Sequence, residues 1–164
     1  AEKEIKKTKN FISLRLATVF GLSGRIRTDL LVNDFTYRAV FEKKIELFEP
    51  HFKRNYIHVK DVARVIIFCI KNFKKYKKNI FNIGLETANL SKIQLCKLIQ
   101  KNHKNFKIKI NEFAKDPDQR NYIVSNKKIL ATGWRPKYSL ESGIKELIKC
   151  YDSLNIKRNS NIWI

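Results

Sequence analysis

Apolar residues along this chain follow two patterns that alternate. Short continuous or every-second-residue runs predict strands, and residues spaced three and four apart predict helices. Short apolar or alternating runs at residues 11–17, 45–48, 79–83 and 106–110 are typical of β-strands. The run at 11–17 is almost continuously apolar, which predicts a parallel strand buried on both faces. Apolar residues three and four positions apart separate these runs and predict helices. The alternation of the two spacings predicts an α/β fold.

The most informative stretch is a strand that runs directly into a helix. Aromatic and β-branched residues at 55–59 predict the strand, and the apolar spacing after it predicts a helix over residues 59–73. Asp61 falls in the first turn of that helix, where a negative charge suits the helix dipole. Arg54 directly precedes the strand. Because a guanidinium group can form two parallel bonds to one anion, Arg54 is a candidate phosphate ligand.

Polar residues ahead of the other apolar segments predict where helices begin. Thr28 is expected to cap a helix that runs to about Glu42, and Ser91, Ser125 and Ser139 are expected to cap later ones. The helix after Ser125 should be short and stop at the next glycine. A short strand is predicted at residues 122–124.

The composition is strongly basic, with a formal net charge of +20 over 164 residues. Such a charge raises the possibility of a nucleic-acid-binding module, whose affinity would fall steeply with salt. However, 26 lysines against 9 arginines, together with 21 isoleucines and 15 asparagines, suggest a bias towards A/T-rich codons. The basic residues are scattered and no nucleic-acid-binding motif is present. We therefore expect no nucleic-acid partner.

Several other classes of protein are disfavoured by the sequence. No apolar run reaches the length of a membrane span, and the charged start lacks the apolar region of a signal peptide. Three cysteines without close pairing favour reduced thiols and a cytoplasmic location. His51, His58 and His103 do not have the spacing of a metal site, so we expect no metal, and we expect His58 to be a buried structural histidine.

Five segments, in order along residues 11–150, resemble the extended short-chain dehydrogenase/reductase family of NAD-dependent nucleotide-sugar epimerases and dehydratases. The segments are Leu-Arg-Leu-Ala-Thr-Val-Phe-Gly (14–21), Arg-Asn-Tyr-Ile-His-Val-Lys-Asp-Val-Ala (54–63), Asn-Ile-Phe-Asn-Ile-Gly (79–84), Asp-Pro-Asp-Gln-Arg (116–120) and Ala-Thr-Gly-Trp-Arg-Pro with Leu-Glu-Ser-Gly-Ile (131–144).

This resemblance implies an α/β fold: the C-terminal part of a Rossmann-type doubly wound parallel sheet, plus a small α/β substrate-binding subdomain. Residues 1–152 would form this portion, and residues 153–164 a polar tail. The family's Gly-rich dinucleotide-binding turn is absent from a chain with five glycines, and so is a helical Tyr-x-x-x-Lys catalytic pair. The resemblance therefore implies a missing N-terminal half that binds most of the NAD and carries the catalysis. The fragment alone would be inactive, with no catalytic residue, and the full-length enzyme would be a homodimer.

The resemblance also implies roles for eight residues. Leu16 and Val19 would line the nicotinamide side of NAD, and Thr18 would contact the substrate. Arg27 and Asn33 would reach the sugar or the pyrophosphate from the start of the next helix.

The remaining three candidates concern the nucleotide itself. Phe48 would pack near the base, as an aromatic ring suits. Arg54 and Arg120 would converge on the diphosphate of a nucleotide-diphosphate sugar. These residues do not specify the sugar, the nucleotide, or whether the reaction is an epimerisation, a dehydration or a decarboxylation. A truncated homologue that binds nucleotide sugars without turnover is the main alternative.

Overall fold

Strands and helices alternate along the chain, as the spacing of apolar residues predicts. The computed structural model describes residues 2–112, 118, 120–153 and 162–163. The α-helices are α1 (Glu2–Ile5), α2 (Leu31–Tyr37), α3 (Val59–Lys71), α4 (Phe73–Tyr76), α5 (Lys92–Asn102), α6 (Lys127–Leu130) and α7 (Leu140–Ser153). The strands are β1 (Ile12–Leu16), β2 (Thr18–Phe20), β3 (Arg25–Ile26), β4 (Lys44–Phe48), β5 (Lys53–Arg54), β6 (Tyr56–His58), β7 (Asn79–Ile83), β8 (Leu90–Ser91), β9 (Lys107–Asn111) and β10 (Ile162–Trp163).

Parallel pairing at the centre of the fold confirms the predicted Rossmann-type arrangement. Strand β1 pairs in parallel with β7, and β2 pairs in parallel with β6. Ala17 joins the two pairs, because its backbone N–H donates to Ile83 O at 2.8 Å while the next N–H, of Thr18, donates to Asn55 O at 3.0 Å. Helix α3 connects β6 to β7. One continuous strand segment thus contributes to two neighbouring parallel pairs.

A second, smaller set of strands forms the α/β unit that the sequence predicts beside the main sheet. Strands β4 and β9 pair in parallel, and β5 pairs with β8 in antiparallel fashion. Helix α5 starts from β8 with a capping box: Gln94 N–H donates to Ser91 Oγ at 3.3 Å, and Ser91 N–H donates to Gln94 Oε1 at 2.8 Å. The predicted cap at Ser91 is confirmed.

Helix α7 closes the core against α2. Ile144, Leu147 and Tyr151 are fully buried along its inner face, as their spacing predicts. The Tyr151 hydroxyl donates to the backbone oxygen of Asn33 at 3.3 Å. Ser139 accepts from Ser142 N–H at 3.1 Å and caps the helix as expected.

Two of the expected helix caps are wrong. Helix α2 begins at Leu31 rather than after Thr28, because residues 27–30 form a turn in which Leu30 N–H donates to Arg27 O at 3.4 Å. The end of this helical segment near Glu42 is confirmed, although residues 38–42 form a π-helical turn. Asn126, rather than Ser125, occupies the N-cap position of α6.

The predicted strand at 122–124 is also wrong. This segment is extended but belongs to no described strand. Two of its backbone N–H groups form isolated hydrogen bonds instead of a strand ladder. Tyr122 N–H donates to Lys53 O at 3.2 Å, and Val124 N–H donates to Asn89 Oδ1 at 2.9 Å. At the end of the chain, β10 pairs in antiparallel fashion with β3. Residues 154–161 and 164, the rest of the predicted tail, lie outside the described residues.

Strand β1 is more exposed than its apolar run predicts, and helix α3 exposes several apolar side chains. The buried stripe of α3 consists of Asp61, Val65 and Cys69, whereas Ile66, Ile67 and Ile70 face outwards. In β1, Leu16 is 44% exposed. Within the described part of the chain, β1 has a neighbouring strand along one edge only. None of the described helices is both long enough and apolar enough to cross a membrane.

Candidate functional site

A cleft of about 460 Å³ opens where β1 and β2 meet the start of α3. This position is the carboxyl end of parallel strands, where ligands bind in doubly wound folds. Six of the eight predicted site residues line it: Leu16, Thr18, Val19, Arg27, Asn33 and Arg120. Val59 and Tyr122 also contribute to its wall. The cleft therefore combines an apolar side with two guanidinium groups.

Asn33 shapes the cleft through the backbone of the loop that follows β2. Its Oδ1 accepts from Gly21 N–H at 3.0 Å, and its Nδ2 donates to Arg27 O at 3.0 Å. Gly21 has a φ of 106°, and a Cβ at this position would lie 2.4 Å from His58 Nε2. Only glycine suits this conformation and this close approach. The side chain of Asn33 is thus committed to holding the loop.

Arg27 reaches the cleft as one half of an ion pair. Its Nε and Nη2 donate to the two carboxylate oxygens of Asp29 at 2.7 and 2.6 Å. The hydrogen bond from Arg27 lowers the pKa of Asp29 below its ordinary value. Since the Arg27 side chain is half exposed, this pair is accessible to a ligand.

Arg54 is not part of the cleft wall, and its side chain is 2% exposed. The guanidinium group lies 5.6 Å from the ring centroid of Tyr122, which does line the cleft. Arg54 Nη2 lies 3.1 Å from Asp118 Oδ1, and Arg120 contacts the same carboxylate. Arg54 and Arg120, which the resemblance predicts to converge on a diphosphate, both contact the side chain of Asp118 in this structure.

Phe48 does not line the cleft. It ends β4, and its backbone oxygen accepts from Lys92 Nζ at 2.9 Å. Lys92 is buried, with its ammonium group 5.5 Å from the ring centroid of Phe52. Tyr122 is a cleft residue that was not among the predicted ones, although it lies only two positions from Arg120, which was.

Comparison with known proteins identifies the family. A sequence model of the NAD dependent epimerase/dehydratase family matches residues 3–84, half of the chain. This chain belongs to that family. A CDP-paratose 2-epimerase from Salmonella typhi is 30% identical over 97 residues, which cover 57% of this chain and 28% of the relative. A dTDP-L-rhamnose 4-epimerase from Burkholderia thailandensis is 28% identical over 138 residues, covering 82% and 38%.

Solved structures show the same fold. The UDP-glucose 4-epimerase of Thermotoga maritima, solved with UDP-glucose, matches with a TM-score of 0.74 and 25% identity, over 88% of this chain and 46% of that one. The UDP-N-acetylglucosamine 4-epimerase of Methanobrevibacter ruminantium matches with a TM-score of 0.75 at 16% identity, over 93% and 50%. The chain spans less than half the length of the curated relatives it matches.

In this member of the epimerase/dehydratase family, His58 is the buried structural histidine that the sequence predicts. Its Nδ1 accepts from Lys60 N–H at 3.2 Å, so its Nε2 carries the proton and donates to Glu146 at 3.0 Å. Its ring stacks on Tyr138, with the centroids 4.8 Å apart. Burial lowers the pKa of His58, and the hydrogen bond to Glu146 offsets this only partly.

The lowered pKa of His58 predicts a pH-dependent stability. Below its ordinary pKa of 6.5, the unfolded chain binds a proton on His58 while the folded protein still resists protonation. The free energy of unfolding should therefore fall as the pH is lowered from 7 to 5. A His58→Gln variant puts an amide, which does not titrate, in place of the ring. In this variant the free energy of unfolding, measured by chemical denaturation, should change less between pH 7 and pH 5 than in the wild type. An equal change in the two proteins would contradict a lowered pKa of His58.

Tyr56 and Lys60 have the Tyr-x-x-x-Lys spacing, but Tyr56 lies in β6 and Lys60 in α3. The Tyr56 hydroxyl is buried with no hydrogen-bond partner among the described residues, and burial raises its pKa well above its ordinary value. Lys60 instead pairs with Glu146. No group of three histidine, cysteine or acidic side chains in the described residues could hold a metal ion.

Proposed function

We propose that this chain is the nucleotide-sugar-binding portion of an NAD-dependent epimerase or dehydratase. Its cleft binds the diphosphate of a nucleotide sugar and presents the sugar to the nicotinamide ring. The preceding half of a longer polypeptide supplies the Gly-rich turn that holds the rest of NAD and the tyrosine and lysine of the catalytic pair. In this proposal the 164-residue chain has no turnover of its own.

The observation that carries the proposal is the composition of the cleft at the strand ends. The exposed side chain of Leu16 and the neighbouring Val19 form an apolar wall that suits a flat nicotinamide ring. Arg27 and Arg120, which also line the cleft, add guanidinium groups that recognise phosphate oxygens. Thr18, on β2, also lines the cleft and has a hydroxyl that can donate to or accept from a sugar. An apolar wall with a few convergent polar groups is typical of a cofactor and substrate site.

Exposed apolar surface supports the role of a preceding half. Parallel strands occur almost only where both faces of the sheet are covered. Here β1 exposes Leu16, and α3 exposes Ile66, Ile67 and Ile70, of which Ile70 is 69% exposed. Val59, at the start of the same helix, lines the cleft together with Leu16. A half-domain that adds a strand beside β1 and packs on α3 would cover this surface and close the cleft.

Removing the Arg120 side chain tests the diphosphate site. We expect Arg120→Ala to weaken UDP-glucose binding to this chain about tenfold or more, as the loss of one charge-assisted contact to phosphate predicts. Isothermal titration calorimetry at low salt measures the dissociation constant. Arg15→Ala is the matched control, since Arg15 is an exposed arginine with a similar bidentate pair to Glu2 but does not line the cleft. Equal affinities for the two variants would refute the proposed site.

A further inference from the structure

One carboxylate joins the two arginines beside the cleft. Arg120 donates to Asp118 through Nε at 2.7 Å and through Nη2 at 2.5 Å. From the other side, Arg54 Nη2 donates to the backbone oxygen of Asp118 at 3.0 Å and lies 3.1 Å from Oδ1. The hydrogen bond from Arg120 is the main reason that the pKa of Asp118 lies well below its ordinary value. Asp118 is therefore ionised and shared.

The burial of Arg54 makes a nearby anion necessary. The Arg54 side chain is 2% exposed, whereas the Asp118 side chain is 39% exposed. A buried cation without a counter-charge is strongly destabilising, so an anion is required whether or not a ligand is bound. Asp118, however, sits near the surface end of this cluster, where a ligand can approach it. The arrangement has a fixed buried cation and an accessible anion.

We propose that Asp118 is an internal counter-ion that the phosphate groups of the ligand replace. Without ligand, its carboxylate holds Arg54 and Arg120 in place. A diphosphate entering the cleft takes over their guanidinium donors, and the carboxylate turns towards solvent. This inference rests on the proposed diphosphate site and adds to it a residue that sets both its affinity and its selectivity.

Replacement of a carboxylate favours diphosphates over smaller anions. Asp118 offers two carboxylate oxygens and one negative charge to two guanidinium forks. A diphosphate offers more oxygens and more negative charge over a longer span, so it can satisfy both forks after displacing Asp118. A monophosphate gains less from the same exchange. Asp118 thus lowers the affinity of the site formed by Arg54 and Arg120 for every anion. The loss of affinity is largest for anions that are too small to bridge both arginines.

Binding of inorganic pyrophosphate and inorganic phosphate to this 164-residue chain tests the exchange. We expect Asp118→Asn to bind pyrophosphate at least fivefold more tightly than the wild type, and to bind phosphate with a larger relative gain. Glu141→Gln is the matched control: Glu141 also bridges two basic residues, Lys101 and Lys145, and its side chain is 35% exposed, but it lies outside the cleft. This control should leave both affinities unchanged.

Each outcome decides between the possibilities. Equal or weaker pyrophosphate binding by Asp118→Asn, or an equal gain in Glu141→Gln, would overturn the exchange. If Arg120→Ala also binds pyrophosphate as the wild type does, the phosphate site itself is wrong. If a variant does not fold, NMR spectroscopy of the wild type still tests the exchange. On addition of pyrophosphate, the Nε–H resonances of Arg54 and Arg120 should shift, whereas the resonance of Arg38 should not. Unmoved resonances of Arg54 and Arg120 would also overturn the exchange.

Discussion

Replacing Asp61 with alanine is expected to lower the free energy of unfolding by about 3–5 kcal/mol, the range for breaking a buried charged network. Asp61 is completely buried at the start of α3. Its carboxylate accepts from the backbone N–H of Lys137 at 2.9 Å and of Tyr138 at 2.9 Å, and it pairs with Arg64. Alanine would leave two backbone donors and one guanidinium group without this acceptor.

Chemical denaturation followed by circular dichroism measures the effect. Such a loss is a large fraction of the roughly 5–15 kcal/mol that stabilises a typical domain. Asp61→Asn keeps one oxygen acceptor with nearly the same shape, so its loss should be clearly smaller. Asp29→Asn, which removes a carboxylate from an exposed pair, should cost about 0–1 kcal/mol. A loss at Asp61→Ala no larger than that of Asp29→Asn would contradict the anchoring role.

Replacing Arg54 with alanine is expected to weaken nucleotide-sugar binding to the complete enzyme by about 10- to 100-fold, as the loss of roughly 1.5–3 kcal/mol from charged hydrogen bonds predicts. The apparent KM for the nucleotide sugar should rise accordingly. The affinity for NAD should stay nearly unchanged, because Arg54 does not line the cleft, whereas Leu16 and Val19, the proposed contacts of the nicotinamide ring, do. Steady-state kinetics and a separate NAD titration measure the two quantities.

Arg54→Lys separates charge from shape. Lysine keeps the positive charge but lacks the planar fork. It should therefore still pair with Asp118, but recover only part of the affinity for the nucleotide sugar that Arg54→Ala loses. A thermal melt of each variant checks that the fold survives the loss of a buried ion pair. Unchanged substrate affinity in a folded Arg54→Ala variant would refute the assignment of Arg54 to the diphosphate.

Local patterns in the sequence were sufficient for most of the elements. The parallel strands β1 and β7, helix α3 and the capping box at Ser91 all follow from spacing and capping within a few residues, because backbone hydrogen bonds and side-chain periodicity are short-range. The wrong caps have a different origin. Thr28 and Ser125 are good capping residues, but the chain forms a turn over residues 27–30 before α2 begins, and the N-cap of α6 falls one residue later, on Asn126.

The candidate site was only partly visible in the sequence. Six of the eight predicted residues line one cleft, since motif residues at the ends of neighbouring parallel strands meet at one edge of a sheet. Two features were not predictable: the hydrogen bond by which Asn33 holds the backbone of Gly21, and the contact of the Arg54 guanidinium group with the Tyr122 ring. They depend on which atoms approach each other in three dimensions.

The sequence by itself determined the α/β architecture, the family and six of the residues that line the cleft, because apolar periodicity and family motifs are local patterns of residue types. Only the tertiary structure decided which apolar face of α3 is buried and which anion Arg54 contacts. Arg54 and Asp118 are 64 positions apart, and their contact depends on how β5 and the segment around Tyr122 pack together. Local sequence patterns do not distinguish one possible contact of a side chain from another, and packing between distant segments decides which contact forms.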